Sequence, residues 1–305
     1  MTTLRRILCA TDLAPASQPA WEEAQHLAAL LKAELRLLHV VPPVPVPLEG
    51  YFPPDLYQTL VEGGERDARE RLDRLVVDRR DPSLAVTVQL DRGAPAARIL
   101  AVAAEESADL VVMGTHGRTG LDRLVLGSVA DRVIRTATCP VLTVRTRPAA
   151  PAPKPLARIC YATDFSPSAR AAWPYAVALA EAAGADVDLL HVTPQPVADR
   201  HLSPEALGRM ARLLREQGEA QVDQFLADSP LPPDRIHVAV RPGDPGEQIL
   251  HWAQARTADL VVMGTHGWSG LLRWMLGSVA HHVIQLAPCP VLTVGPQGRE
   301  HGATR

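Results

Sequence analysis

Apolar positions along this chain fall into two alternating rhythms. Short runs of branched apolar residues at 6–10, 35–41, 86–90, 110–113 and 141–144 read as strands. Between them the apolar residues recur at helical spacing, which predicts helices over 15–31, over about 56–77, from Pro95 onward and from just after Ser128. Pro95 in "GAP" and Pro245 in "GDP" suit a first helical position, where a missing N–H costs nothing. In the last helix Val129, Ala130, Val133, Ile134 and Ala137 are spaced to face a core. The run "LVVM" is apolar on both faces, as a central parallel strand covered by helices must be. Strand and helix in alternation predict an α/β fold of βαβ units around a parallel sheet.

The pattern occurs twice. Residues 108–117 and 258–267 both read "ADLVVMGTHG", and 27 of the 37 positions in 108–144 recur in 258–294. The offset is 150 there and 152 at the start of each half, where "LCATDLAP" from Leu8 matches "CYATDFSP" from Cys160, so the length change lies between. A period this long means two whole domains, not the short units of a solenoid. We expect domains over 1–147 and 158–296, a Pro/Ala-rich linker over 148–157 and a polar tail over 297–305. The proline-dense stretch "PPVPVPLEGYFPP" is expected to be a surface loop.

A chain of 305 residues gives each half enough length for its own core. The net charge of −3 offers no basic footprint, so no nucleic-acid partner is expected. No apolar run reaches the roughly 18 residues of a membrane span, and the N-terminus lacks a signal-peptide core, so the expectation is no membrane and a cytoplasmic location. Cys9, Cys139, Cys160 and Cys289 form no CxxC pair and read as small, reduced apolar residues.

After the "LVVM" strand each half carries Gly-x2-Gly-x9-Gly-Ser: Gly114, Gly117, Gly127 and Ser128, then Gly264, Gly267, Gly277 and Ser278. Glycines permit positive φ and let backbone amides approach a ligand, and a helix start adds unpaired N–H groups suited to phosphate. The same residues also fit plain turns with Ser128 as a helix N-cap. The first strand ends "ATD" in both halves, at Asp12 and Asp164. Ligands of open parallel sheets sit beyond the carboxyl ends of strands, so Asp12 could line a crevice with Gly114, or cap the helix at Pro15, or do both.

Together "ATD", "LLHV", "VVMGTHG", the glycine spacing and the closing "CPVLTV" resemble the universal stress protein family in its tandem form, and the glycine spacing resembles its ATP-binding subgroup. The resemblance implies two doubly wound domains, each a five-stranded parallel sheet of order 3-2-1-4-5 between helices. It implies that Ala10, Thr11, Asp12 and Val40 surround adenine and ribose. Met113, Gly114, Thr115, His116, Gly117 and Arg118, with Gly127, Ser128 and Val129, would hold ribose and phosphates. The second-half counterparts are Ala162, Thr163, Asp164, Val192, Met263, Gly264, Thr265, His266, Gly267, Gly277, Ser278 and Val279. ATP is the implied ligand, with any Mg held mainly by its phosphates. The implied partners are the nucleotide, an unknown protein, and the chain itself as an intrachain pseudo-dimer or a homodimer.

The halves differ around the glycines. Arg118 becomes Trp268, Asp122 becomes Leu272, Leu124 becomes Trp274, and Asp131-Arg132 becomes His281-His282. Losing the arginine removes a charge that could reach phosphate, so weaker or altered binding is expected in the second half. The bulk at Trp268, Leu271, Leu272, Trp274 and Met275 suits either a loop packed on its own domain or a contact surface. His116 and His266 could touch phosphate or order the loop, and His281 with His282 read as solvated helix surface. There is no Walker motif, no Gly-x-Gly-x2-Gly and no Gly-x-Ser-x-Gly around Ser128. Fast phosphoryl transfer needs metal-holding carboxylates, a base and a cation on the γ-phosphate, whereas the motif loops offer backbone amides, one aspartate per site and an arginine in only one half. The expectation is a nucleotide-dependent stress-response or signalling module. A slow ATPase and a non-binding interaction protein stand as alternatives.

Overall fold

The computed structural model describes residues 2–43, 54–79, 81–115, 126–146, 154–195, 203–267 and 276–295. The chain divides into two compact units, one taking in Thr3–Pro153 and the other Lys154–Arg305. The first runs β1 (Arg6–Thr11), α1 (Gln18–Leu31), β2 (Glu34–Val41), α2 (Pro54–Val77), β3 (Val86–Arg92), α3 (Pro95–Glu105), β4 (Leu110–Gly114), α4 (Ser128–Thr136) and β5 (Val141–Val144). The second repeats it as β6 (Arg158–Thr163), α5 (Pro167–Ala183), β7 (Asp186–Thr193), α6 (Pro204–Leu226), β8 (Ile236–Pro242), α7 (Pro245–Ala255), β9 (Leu260–Gly264), α8 (Ser278–Leu286) and β10 (Val291–Val294). Among the described residues no helix is long and apolar enough to cross a membrane.

Each unit is a parallel sheet whose strands lie in the order 3-2-1-4-5, as the resemblance implies. The second follows suit, with β6 between β7 and β9. Leu110, Val111 and Val112 of β4 have no exposed surface, because helices cover both sheet faces. At the carboxyl ends the register sets Thr11 opposite His39, Ala10 opposite Met113, and Gly114 opposite Val144. The offset between halves is still 152 at the ends of β2 and β7 and has become 150 at the starts of α2 and α6, so the length change falls in that connection.

Three local expectations need correction. The helix expected at Pro15 opens with a 3-10 turn over Pro15–Ser17, and α1 begins only at Gln18. Its counterpart α5 starts directly at Pro167, because Ser166 accepts the Ala169 N–H as an N-cap where the first half has Ala14. Ser128 is not an N-cap: Gly127 holds that position and Ser128 is already helical. In that helix Ala130, Val133 and Ile134 are buried, whereas Val129 is half-buried and Ala137 lies past the helix end. The proline-dense loop over 44–53 and most of the expected linker, 148–153, lie outside the described residues.

Candidate functional site

The turn that leaves the first strand is built by its own side chains. Thr11 Oγ1 accepts the Leu13 N–H at 3.0 Å and Asp12 Oδ1 accepts the Ala14 N–H at 3.0 Å. Thr163 and Asp164 do the same for Phe165 and Ser166, at 2.9 and 3.0 Å. Asp12 thus caps the turn and not the helix, since Oδ1 bonds an amide that precedes Pro15. Both turns force a bulky residue into the left-handed region, Leu13 at φ 62° and Phe165 at φ 60°. An arginine secures the carbonyl of each: Arg71 of α2 donates from Nη2 to Leu13, and Arg170 of α5 donates from Nε to Phe165 at 3.0 Å. The carbonyl before the aspartate is held by the "LLHV" histidine, with Thr11 O at 2.7 Å from His39 Nδ1 and Thr163 O at 2.9 Å from His191 Nδ1. Because a carbonyl only accepts, each Nδ1 carries the proton.

Beyond these strand ends each unit has a cavity, of about 300 Å³ in the first and about 370 Å³ in the second. Ala10, Thr11, Asp12, Val40, Met113, Gly114, Thr115, Gly127, Ser128 and Val129 all line the first. Ala162, Thr163, Asp164, Val192, Met263, Gly264, Thr265, His266, Gly267, Gly277, Ser278 and Val279 all line the second. His116, Gly117 and Arg118 lie outside the described residues, as do Asp122, Leu124, Trp268, Leu271, Leu272, Trp274 and Met275. The walls also include Leu38, Pro95, Ile99 and Ala130, repeated as Leu190, Pro245, Ile249 and Ala280, together with Ser17, His39 and Pro42 in the first unit and Ala169 in the second. Sequence reasoning missed these. The recurrence of "LLHV" and of Gly-x-Pro in both halves was the available signal.

Each cavity is lined both by apolar side chains and by the start of a helix. The first helical bond of α4 runs from Asp131 N to Gly127 O, and that of α8 from His281 N to Gly277 O. The amides at Ser128 to Ala130 and at Ser278 to Ala280 therefore precede the helical ladder, at the positive end of the dipole. That pairing of surfaces can take a flat apolar group and an anion at once.

In the second domain Gly264, Gly267 and Gly277 work by close approach and not by positive φ. Gly127 and Gly277 have φ of −62° and −58°. A Cβ on Gly277 would stand 3.0 Å from Thr265 O, which accepts the Gly277 N–H at 2.9 Å. A Cβ on Gly264 would stand 2.6 Å from Ala169 N, and one on Gly267 would stand 2.7 Å from Asp164 Oδ2. Positive φ belongs instead to Gly93 and Gly243 of the Gly-x-Pro turns, at 131° and 137°. Each donates its N–H to the end of the neighbouring strand, Gly93 to Val41 O and Gly243 to Thr193 O, both at 3.0 Å.

Other chemistry stays away from the cavities. Cys9, Cys139 and Cys160 are buried and Cys289 half-buried. Burial pushes the Cys9 thiol up to about 12 and raises Cys160 as well, which keeps both protonated. His281 and His282, expected on solvated helix surface, are half-buried: His281 Nε2 lies 3.4 Å from Gln285 Nε2, and His282 packs against Gly246 at the start of α7. Thr265 and His266 do line the second cavity, and Thr265 Oγ1 lies 2.8 Å from His266 Nδ1.

The model of the universal stress protein family matches residues 3–145 and again 156–295. A universal stress protein of Mycolicibacterium smegmatis is 31% identical over 301 residues, covering 95% of this chain and 97% of that one. Universal stress protein Rv2005c of Mycobacterium tuberculosis is 30% identical over 277 residues, covering 87% of this chain and 88% of its own. In three dimensions the crystal structure of a universal stress protein from Archaeoglobus fulgidus covers 95% of this chain and 98% of its own at a TM-score of 0.66, with 21% identity. Two family matches that between them take in nearly every residue, on two copies of one parallel sheet, place this chain in the universal stress protein family as a tandem member.

Proposed function

We propose that each domain binds ATP in the cavity at the carboxyl ends of its strands, and that occupancy governs conformation or the choice of a protein partner. One observation carries this reading. In both domains apolar side chains (Val40, Ile99 and Met113, or Val192, Ile249 and Met263) and the first residues of a helix line a single cavity. The apolar side chains suit a purine and the helix-start amides suit phosphates. The cavity volumes lie within the ordinary range for small-molecule sites, about 300–1,000 Å³. Each cavity brings one aspartate, whose Oδ1 already accepts a backbone amide, so Mg would be held chiefly by the phosphates. The two domains joined in one chain form the simplest pseudo-dimer, and a protein partner would read the occupied state.

The test is to denature protein purified without added nucleotide, identify what is released by chromatography and mass spectrometry, and repeat with Gly127→Val, Gly277→Val and the double variant. About two ATP per chain are expected, falling to about one in each single variant and none in the double. A chain that carries no nucleotide and gives no heat on ATP addition would instead be an interaction protein whose glycines serve packing alone.

A further inference from the structure

The second domain makes a contact whose two serine donors the first domain lacks. Ser166 and Ser168 both donate to the carbonyl of His266, Ser166 Oγ at 3.2 Å and Ser168 Oγ in a short hydrogen bond. Both serines are buried, at 1% and 3% exposure. His266 and Gly267 line the second cavity. Just upstream, Gly264 lies so close to Ser168 and Ala169 that a Cβ would clash with both. The chain leaving β9 is thus fastened at its root to the start of α5. At the same two positions the first domain has Ala14 and Ala16, and a methyl group donates no hydrogen bond.

We propose that Ser166 and Ser168 are positioning residues that hold the His266–Gly267 backbone in its ligand-facing arrangement before ligand arrives, and so slow release at the second site alone. This rests on the nucleotide-binding reading. A backbone ordered in advance does not have to be ordered on binding, and differences of this kind between related sites appear mainly in dissociation rates. Ser166 also caps α5 through the Ala169 N–H at 3.4 Å, so Ser168→Ala is the cleaner probe.

The full chain is loaded with radiolabelled ATP and chased with excess unlabelled ATP, as wild type, as Ser168→Ala, and with each in a Gly127→Val background that blocks the first site. Ser168→Ala is expected to accelerate one of two release phases about 3- to 10-fold, the scale of one lost hydrogen bond. The other phase stays unchanged, and in the Gly127→Val background the accelerated phase is the one that remains. Without nucleotide, hydrogen exchange of peptides spanning His266 and Gly267 is expected to quicken in Ser168→Ala while β6 peptides do not change. Unchanged release with unchanged exchange overturns the proposal, as does equal acceleration of both phases or of all peptides. A wild-type chain that holds no ATP defeats the nucleotide reading instead, and the exchange measurement then decides the brace by itself.

Discussion

Arg256 sets its guanidinium against Asp188, a carboxylate with no exposed surface, with Nε 3.2 Å from Oδ2 and Nη2 3.3 Å from Oδ1. The equivalent pair in the first domain has its charges reversed: Arg36 Nη2 lies 2.9 Å from Glu106 Oε2. Strand and helix end stay linked while both partners change sign, so the two domains share the pairing and not the residues. Arg256→Ala leaves Asp188 with Arg158 at 3.2 Å as its remaining ion-pair partner among the described residues and is expected to lower stability. Asp188→Arg combined with Arg256→Glu should recover much of that loss. A double-mutant cycle by urea unfolding measures the coupling, and a cycle that sums to zero would reject the pairing as a stabilising link.

Asp109 and Asp259, inside the repeated phrase, tie two strands together. Asp109 Oδ2 accepts the N–H groups of Arg5 and Arg6, and Asp259 Oδ2 those of Ala157 and Arg158, all at 2.9–3.0 Å. Asp109→Ala should destabilise the first domain by about 1–3 kcal/mol, because two strand-start donors lose their acceptor. Asp109→Asn retains an oxygen with two lone pairs and should cost less. Equal losses for Ala and Asn in thermal unfolding would place the effect in the charge instead.

Gly264→Ala is expected to be worse than Gly277→Ala. The new Cβ would sit 2.6 Å from Ala169 N in one case and 3.0 Å from Thr265 O in the other, and both obstacles are backbone. Overpacking of this kind costs about 1–3 kcal/mol, so Gly264→Ala should lie at the upper end. Urea midpoints for the two variants check the ranking, and the reverse order would mean that the start of α5 yields more easily than the loop root.

Arg98 bonds Asp91 through Nε at 2.9 Å and Nη2 at 2.5 Å, and its guanidinium holds the carboxyl below the ordinary 3.8. A carboxyl depressed in the folded state contributes stability that is complete above its unfolded value and is lost as pH falls through the folded one. Asp91→Asn should therefore be less stable than wild type at neutral pH, with the gap closing as pH falls below about 4. Denaturant unfolding across that range measures it. A gap that stays constant down to pH 2 would mean that the ion pair contributes nothing through charge.

The cavity residues show how far sequence reasoning reached. Every predicted site residue among the described ones lines its cavity, because the repeated "ATD" and "VVMG" both end strands that the register sets side by side. Of the two roles expected of the site glycines, positive φ and close approach, positive φ is absent at the described ones. Gly127 and Gly277 are both extended, and at Gly277 a Cβ would stand 3.0 Å from the Thr265 carbonyl oxygen. No local pattern signals that distinction, since it depends on which backbone lies 3 Å away. His39 and Ser17 escaped for a related reason: each reads as an ordinary strand or helix residue until Thr11 is placed beside it.

By itself the sequence determined the duplication, the alternation of strands and helices, the buried central strand and the positions of the strand-end turns. All of these follow from apolar period and turn chemistry within a few neighbouring residues. Tertiary structure decided what meets across the sheet: Asp109 with the start of β1, Arg256 with Asp188, His39 with the Thr11 carbonyl, and two serines on His266 in one domain only. Those contacts join residues 28 to 104 positions apart. They exist only once parallel register and crossover have brought the strand ends together, which no periodicity along the chain encodes.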